Sequence, residues 1–195
     1  TIFKKCYTAA PVITARDASI VLSEPFIVFC NNFVEEEHKD QLDAFHKLLM
    51  EKGKEHEKEI AKDALTLKYK TEEEGFFITL QELFNGTNLL HDAPLIYGKL
   101  HGRADLIERN NTHDSIFGKY HYIIKEIKLA KNIKQKHILQ AAFYTYVIGK
   151  IQDYTPEKFY IINGESEQLE FLYKDYEKLL TDSIEQVDLI LRGKK

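Results

Sequence analysis

Near residue 90 the chain changes its hydrophobic rhythm, and that change restricts it to folds in which helices cover a sheet. Upstream, apolar residues return at helical spacing. Leu42, Phe45, Leu48, Leu49, Ile60, Ala64 and Leu65 form a broken 3.6-residue stripe between Asp40 and Tyr69. That pattern predicts one long helix, or two joined at Gly53. Thr14-Ala-Arg-Asp17 and Thr71-Glu-Glu-Glu74 have the spacing of capping boxes, so each should open a helix. Pro25 should interrupt or restart the first of these. Asn85-Gly86 should close the second.

Downstream, short β-rich segments take over. Leu95 to Tyr97, Gly102 to Glu108, Tyr120 to Lys128 and Lys158 to Asn163 are predicted strands. Asn110 to Asp114 is a polar turn, and Asn163-Gly164 is an exit turn. His137 to Gly149 reads as a helix ended by Gly149. Ser166 to Leu191 reads as one amphipathic helix, apolar at Leu169, Leu172, Tyr176, Leu179, Leu180, Ile184, Val187 and Leu191. The expected fold is α/β: a mixed sheet flanked by helices, in one domain. Residues 1–90 form its mainly helical first part, 91–164 a β-β-β-α-β core, and 165–195 a C-terminal helix that could seat a protein partner or a second copy.

Composition narrows the function classes. With 44% hydrophobic and 30% charged residues, the chain has material for a core and a well-solvated surface. No apolar run approaches the roughly 20 residues of a membrane helix, and no secretory leader pattern is visible. The expectation is a cytoplasmic protein without membrane contact. The two cysteines, Cys6 and Cys30, form no C-x-x-C pair, so structural zinc and a four-cysteine iron–sulfur cluster are not supported. The net charge of −4 does not mark a nucleic-acid binder. Lysines nonetheless crowd positions 119, 125, 128, 131, 134 and 136, which suits either a phosphate-facing patch or an ordinary solvated face.

The chemistry concentrates on two strands. Side chains alternate along a strand, so Tyr120, Tyr122, Ile124, Glu126 and Lys128 should share one face. Alone, Glu126 and Lys128 are an ordinary strand-end ion pair. Asp105, however, is a lone acid within an apolar strand, and burying it unpartnered is costly. If the two strands form a hairpin, Asp105 lies beside Glu126. Crowded carboxylates repel each other, and a hard divalent cation relieves that strain.

Asp105 followed by Glu126-Ile-Lys128 resembles the PD-(D/E)xK nuclease superfamily. Four segments resemble its RecB-like branch: Gly53-Lys-Glu-His56-Glu57, Gln140-x-x-x-Tyr144, and the wording of Pro94 to Asp105 and of Lys125 to Lys131. The likeness runs from about Gly53 to Gly164. It implies a restriction-endonuclease-like core, α-β-β-β-α-β, with an N-terminal helical elaboration. It also implies a nuclease that depends on Mg²⁺ or Mn²⁺ and acts on DNA, as a single-strand or end-directed exonuclease. By the same resemblance His56, Asp105, Glu126 and the Ile127 carbonyl would hold metal. Lys128 would serve the attacking water, and Gln140 and Tyr144 would position Lys128 or the scissile strand.

Arg103 is either a phosphate contact or half of a surface ion pair, and His101 is the other histidine in strand parity with Asp105. Two departures stand out. Glu126 occupies a position commonly held by Asp in this branch, and the four cluster cysteines of some relatives are missing. No Walker A loop is present, so no ATPase is fused within this sequence. Two other readings remain: a module of the same fold that binds nucleic acid or a partner without cutting, and an unrelated α/β scaffold.

Overall fold

The computed structural model describes residues 12–41 and 43–193. Cys6 and Leu42 lie outside the described residues. A short strand β1 (Ile13–Thr14) leads into helix α1 (Ala15–Ile20), whose cap is Thr14 Oγ1 accepting from the Asp17 N–H at 3.1 Å. Helix α2 (Pro25–Phe33) begins on its proline, where the missing N–H does no harm. A 3-10 turn at Glu36–His38 precedes helix α3 (Ala44–Ile60), capped by Asp43. Strand β2 (Leu65–Thr66) is followed by helix α4 (Glu72–Asn85). Thr71 caps that helix, and Gly86 ends it at φ 74°. Then come β3 (Leu89–Tyr97), β4 (Leu100–Asn110) and β5 (His121–Ile127), helix α5 (Gln135–Gln152), β6 (Lys158–Ile162), β7 (Gln168–Leu172), a 3-10 turn at Tyr173–Asp175 and helix α6 (Glu177–Leu191).

The architecture is α/β, with a seven-stranded mixed sheet flanked by helices. Its order is β2-β3-β4-β5-β6-β7, and β1 pairs with β4 off that path. β3, β4 and β5 run antiparallel in turn, β6 lies parallel to β5 across helix α5, and β7 returns antiparallel to β6. One face carries the main core, where Phe76, Leu83, Tyr122, Ile124, Phe143, Val147 and Phe159 meet under α4, α5 and α6. A small second cluster of Ala61, Leu106, Ile127 and Ile162 is packed by Ile60 and Ala64, at and just after the end of α3.

Three sequence expectations need correction. The region from Asp40 to Tyr69 is one helix followed by strand β2, and Gly53 sits inside the helix without breaking it. An added Cβ at Gly53 would meet nothing within 4 Å, so this glycine answers to no packing demand. Residues 165–195 are not one helix: β7 and a 3-10 turn precede α6. Leu169 and Leu172 belong to that edge strand, where alternation in so short a segment was read as part of a helical stripe. Helix α5 passes through Gly149 and stops at Asp153 in the left-handed region, φ 57°. Gly149 is required instead because the Thr155 backbone and side chain crowd its Cβ position. Helix α6 packs much of its apolar side on its own chain, with Leu180 and Val187 buried and Leu179, Ile184 and Ile190 packed on the core. Among the described residues no helix is long and apolar enough to cross a membrane.

The loop after β5 is pinned to the exit turn of β6. The Lys128 N–H donates to the Ile162 carbonyl at 2.8 Å, and Gly164 N–H donates to the Ala130 carbonyl at 3.2 Å. Asn163, 2% exposed, donates from Nδ2 to the Lys131 carbonyl and accepts at Oδ1 from the Glu165 and Glu167 N–H groups. A Cβ on Gly164 would stand 2.0 Å from the Leu129 carbonyl oxygen, a backbone atom that cannot swing aside. Gly164→Ala should therefore lower stability by about 1–3 kcal/mol. The measurement is urea unfolding, with the midpoint moving down at constant slope; an unchanged midpoint would show that the two loops are not in contact.

Candidate active site

The site forms where the edge of β4 changes neighbours. β5 pairs with β4 from Leu106 to Asn110, and β1 pairs with it at Leu100 and His101. Between them, Gly102 to Asp105 has no strand partner on that side. Tyr144 from α5 fills the gap. Its ring lies so close over Gly102 that a Cβ there would meet Cε1 at 2.5 Å. The Tyr144 hydroxyl accepts hydrogen bonds from the Arg103 backbone and from Gln140.

β3 and β4 also turn over at this level. Leu90 and Ala93 both face the main core, as do Ala104 and Ile107. Strict alternation would put residues three apart on opposite faces. The strand pairing runs from His91–Leu106 to Ala93–Ala104, and between those pairs stand Asp92 and Asp105. Asp92 has φ 57°, a left-handed backbone that is strained for a non-glycine residue within a strand. The turnover sends Leu106 to the second face with Ile127. It leaves Asp105 at the gap, where Oδ2 accepts from the Ile127 N–H at 2.7 Å. A side-chain carboxylate thus takes a backbone donor beyond the end of the β4–β5 ladder.

Glu126 follows Tyr122 and Ile124 on the core face of β5 and is completely buried. One oxygen, Oε1, accepts from Lys128 Nζ at 2.7 Å. The other, Oε2, is buried with no hydrogen-bond partner; Tyr173 Oη is the only other such side-chain atom among the described residues. An unpartnered buried carboxylate oxygen is costly. It lies beside a second acid, Asp105.

Electrostatics agree with that geometry. Burial, and then the neighbouring Glu126 charge, push the Asp105 carboxyl well above the ordinary carboxylate range, against the opposing pull of Lys128 and the Ile127 N–H. Burial works to lower the Lys128 ammonium, but Glu126 and Asp105 outweigh it and the net shift is upward. Lys128 is therefore a lasting cation at neutral pH. The Tyr144 hydroxyl is raised by burial and by Glu126, and stays protonated.

The structure brings together Asp105, Glu126, Lys128, Gln140 and Tyr144, with Ile127 between the two β5 site residues. His56 has a backbone partner of its own. His56 Nε2 donates to the Asn163 carbonyl at 3.0 Å, which leaves Nδ1 as the ring's lone-pair nitrogen. Within the described residues, the set whose ligand atoms all lie within 4.8 Å of one another is the exposed trio Glu35, Glu37 and His38, not His56 with Asp105 and Glu126. Arg103 takes the ion-pair alternative: its Nε meets Asp92 Oδ1 at 3.1 Å and Nη1 donates to the Tyr69 hydroxyl. His101 ties the β3–β4 turn, with Nε2 on the Gly98 carbonyl at 3.2 Å.

Two groups near the site escaped the sequence reading. Glu57, next to His56, has Oε1 2.8 Å from His91 Nε2, and His91 Nδ1 faces Thr66 Oγ1 at 3.0 Å. Its charge also acts on Asp105 and Lys128. The only available signal was the position of Glu57 one residue after the histidine, and three nearby glutamates obscured it. His137, in the first turn of α5, accepts the Lys134 N–H at Nδ1. Burial, followed by the Lys128, Lys136 and Lys134 charges, pushes it down to about 4. It is therefore a neutral imidazole at pH 7, held beside the lysine. Nothing in its spacing could have shown that.

No family model matches the chain, and no curated protein matches it. The site is thus interpreted from its own geometry.

The raised Asp105 fixes the sign of a pH effect. Its folded value exceeds its unfolded value, so the fold holds the extra proton in the window between them. Stability from this group is complete below the unfolded value of 3.8 and is lost as pH rises through the folded one. In chelator-treated protein, Asp105→Asn should remove that loss and unfold at a higher temperature than the parent at pH 7. Thermal melts from pH 4 to 8 measure it; a variant less stable than the parent at pH 7 would show that Asp105 is not held against its charge.

Proposed function

We propose that this chain is a metal-dependent nuclease of the PD-(D/E)xK type, RecB-like, with a restriction-endonuclease-like core. The observation that carries the reading is the buried Glu126, one oxygen on Lys128 and the other unpartnered, beside a second carboxylate raised by its presence. Oxygen donors of this kind fit a hard divalent cation such as Mg²⁺ or Mn²⁺. Asp105, Glu126 and the Ile127 carbonyl would hold it, and the Glu57 charge acts on Asp105 and Lys128. When bound, the cation supplies Lewis-acid neutralisation of charge at the scissile phosphate.

The chain's own groups account for the remaining tasks. The Lys128 ammonium, kept charged by its two acidic neighbours, donates to the negative charge that develops as water attacks phosphorus. Tyr144 stays protonated and closes the gap in β4, and Gln140 fixes its hydroxyl. Neutral His137 leaves Lys128 as the cation facing the reacting centre. The Lys131, Lys134 and Lys136 side chains, on the loop and first turn that follow, suit a phosphate backbone. DNA is the proposed substrate, cut at single strands or ends, as the RecB-like resemblance implies.

The test is cleavage of end-labelled single- and double-stranded DNA in Mg²⁺ or Mn²⁺. Lys128→Ala should lower the rate about 10²–10⁴-fold, and Asp105→Ala and Glu126→Ala should abolish it, with circular dichroism unchanged. Tyr144→Phe should retain more activity than any of these. A folded parent protein that binds DNA but cuts nothing in either metal would assign the fold to a binding module instead. Cleavage that survives Glu126→Ala would reject the site.

A further inference from the structure

Helix α5 carries one more polar side chain on the face that holds Gln140 and Tyr144. His137, Gln140 and Tyr144 recur at three and four residues, so they lie along one side of the helix. Gln140 and Tyr144 meet at the gap in β4. His137 continues that face into the first turn, about 10 Å along the axis from Tyr144. Its half-buried ring is tied down at one nitrogen, since Nδ1 accepts from the Lys134 N–H at 3.2 Å. A neutral imidazole has one acceptor and one donor nitrogen, so Nε2 carries the hydrogen. No described residue accepts it.

Three lysines surround this donor. The charges of Lys128, Lys136 and Lys134 all act on the ring, and with burial they hold it uncharged at neutral pH. Lys128 is committed to Glu126, and Lys131 on the preceding loop to Glu165. Lys134 and Lys136 are exposed and have no acidic partner among the described residues. An unused N–H and two unpaired ammonium groups make a set of donors that lacks only an anionic acceptor. Their parts differ. Flexible lysines attract an anion without orienting it, whereas the His137 N–H has a direction fixed by the backbone bond at Nδ1.

We propose that His137 is a substrate-contacting residue, whose Nε2–H donates to a nonbridging oxygen of a nucleic-acid phosphate flanking the scissile one, with Lys134 and Lys136 balancing the charge. Nucleic acid as the ligand rests on the nuclease reading, but the contact is one of binding and needs no cleavage to be seen. The flanking phosphate follows from position: His137 stands two helical turns from Tyr144, on the side of Lys134 and Lys136.

Two variants separate the donor from the cap. His137→Asn puts an amide oxygen where Nδ1 stands and nothing where Nε2 stands. His137→Gln reaches the Nε2 position with an amide N–H. Binding of fluorescein-labelled oligothymidylate to the whole chain in EDTA is read by anisotropy, beside a thermal melt of each protein. His137→Asn should weaken binding about tenfold at an unchanged melting temperature, and His137→Gln should restore it to within about threefold of the parent. In Mg²⁺, His137→Asn should raise KM with kcat nearly unchanged, as expected for a contact made equally before and during reaction. A parent that does not bind the oligonucleotide overturns the proposal, as does an Asn variant that binds like the parent. A Gln variant as weak as the Asn one also overturns it, because the loss then follows the ring and not its donor. The expected binding pattern in a parent that cuts nothing would uphold the contact and reject the nuclease reading alone.

Discussion

Two carboxylates and one ammonium, brought together at the edge of a sheet, are the constraint to which the rest of this structure answers. Asp105 and Glu126 come from neighbouring antiparallel strands, and Lys128 lies just beyond the second. One cation among two acids leaves the group short of positive charge. The shortage is recorded in the raised Asp105 carboxyl and the unpartnered Glu126 oxygen. A chain selected for stability alone has easy alternatives there, because replacing a buried ionic group with apolar side chains is often neutral or stabilising. The proposed metal would supply the positive charge that this arrangement lacks.

Much of the fold serves to hold that arrangement. The turnover of β3 and β4 at Asp92 and Asp105 keeps the register while freeing one acid from the alternation of its strand. Tyr144 closes the opening in the sheet, and Gly102 permits its close approach. Asn163 and Gly164 lock the loop that carries Lys128 against the exit of β6, and the same Asn163 carbonyl receives His56 from α3. The C-terminal end of α3 packs on this region, with His56 on the Asn163 carbonyl, Glu57 on His91, and Ile60 with the following Ala61 in the second cluster, while its first turns stay exposed.

The legible part of the sequence was the part with strong local signals. The caps at Thr14 and Thr71, the stop at Gly86 and the strand segments at 95–97, 102–108 and 121–127 follow from side-chain chemistry within a few residues, whereas the first six residues of β3 were not marked. The Asp105, Glu126 and Lys128 grouping was visible only in outline: a lone acid in an apolar strand, set against a neighbouring strand that ends in an acid and a lysine, puts the three near one another if the strands pair. β2 and β7 were not visible: two to five residues at the sheet edges, half exposed, carry too little pattern to separate from a helical stripe. The turnover at Asp92 was also hidden, since a parity change shared by two strands appears only when they are paired. His56 and Glu57 are adjacent on a helix, so a rotation of about 100° decides which of them reaches the site. That rotation is fixed by partners distant in sequence: Asn163 for His56, His91 for Glu57, and the second cluster for Ile60 and Ala61.

The most direct measurement is anomalous diffraction at the manganese edge from crystals soaked in millimolar Mn²⁺. The account predicts a peak between the Asp105 and Glu126 carboxylates, with Glu126 Oε2 among its ligands. A map without density there, or with its only peak at the exposed Glu35, Glu37 and His38 cluster, would contradict it.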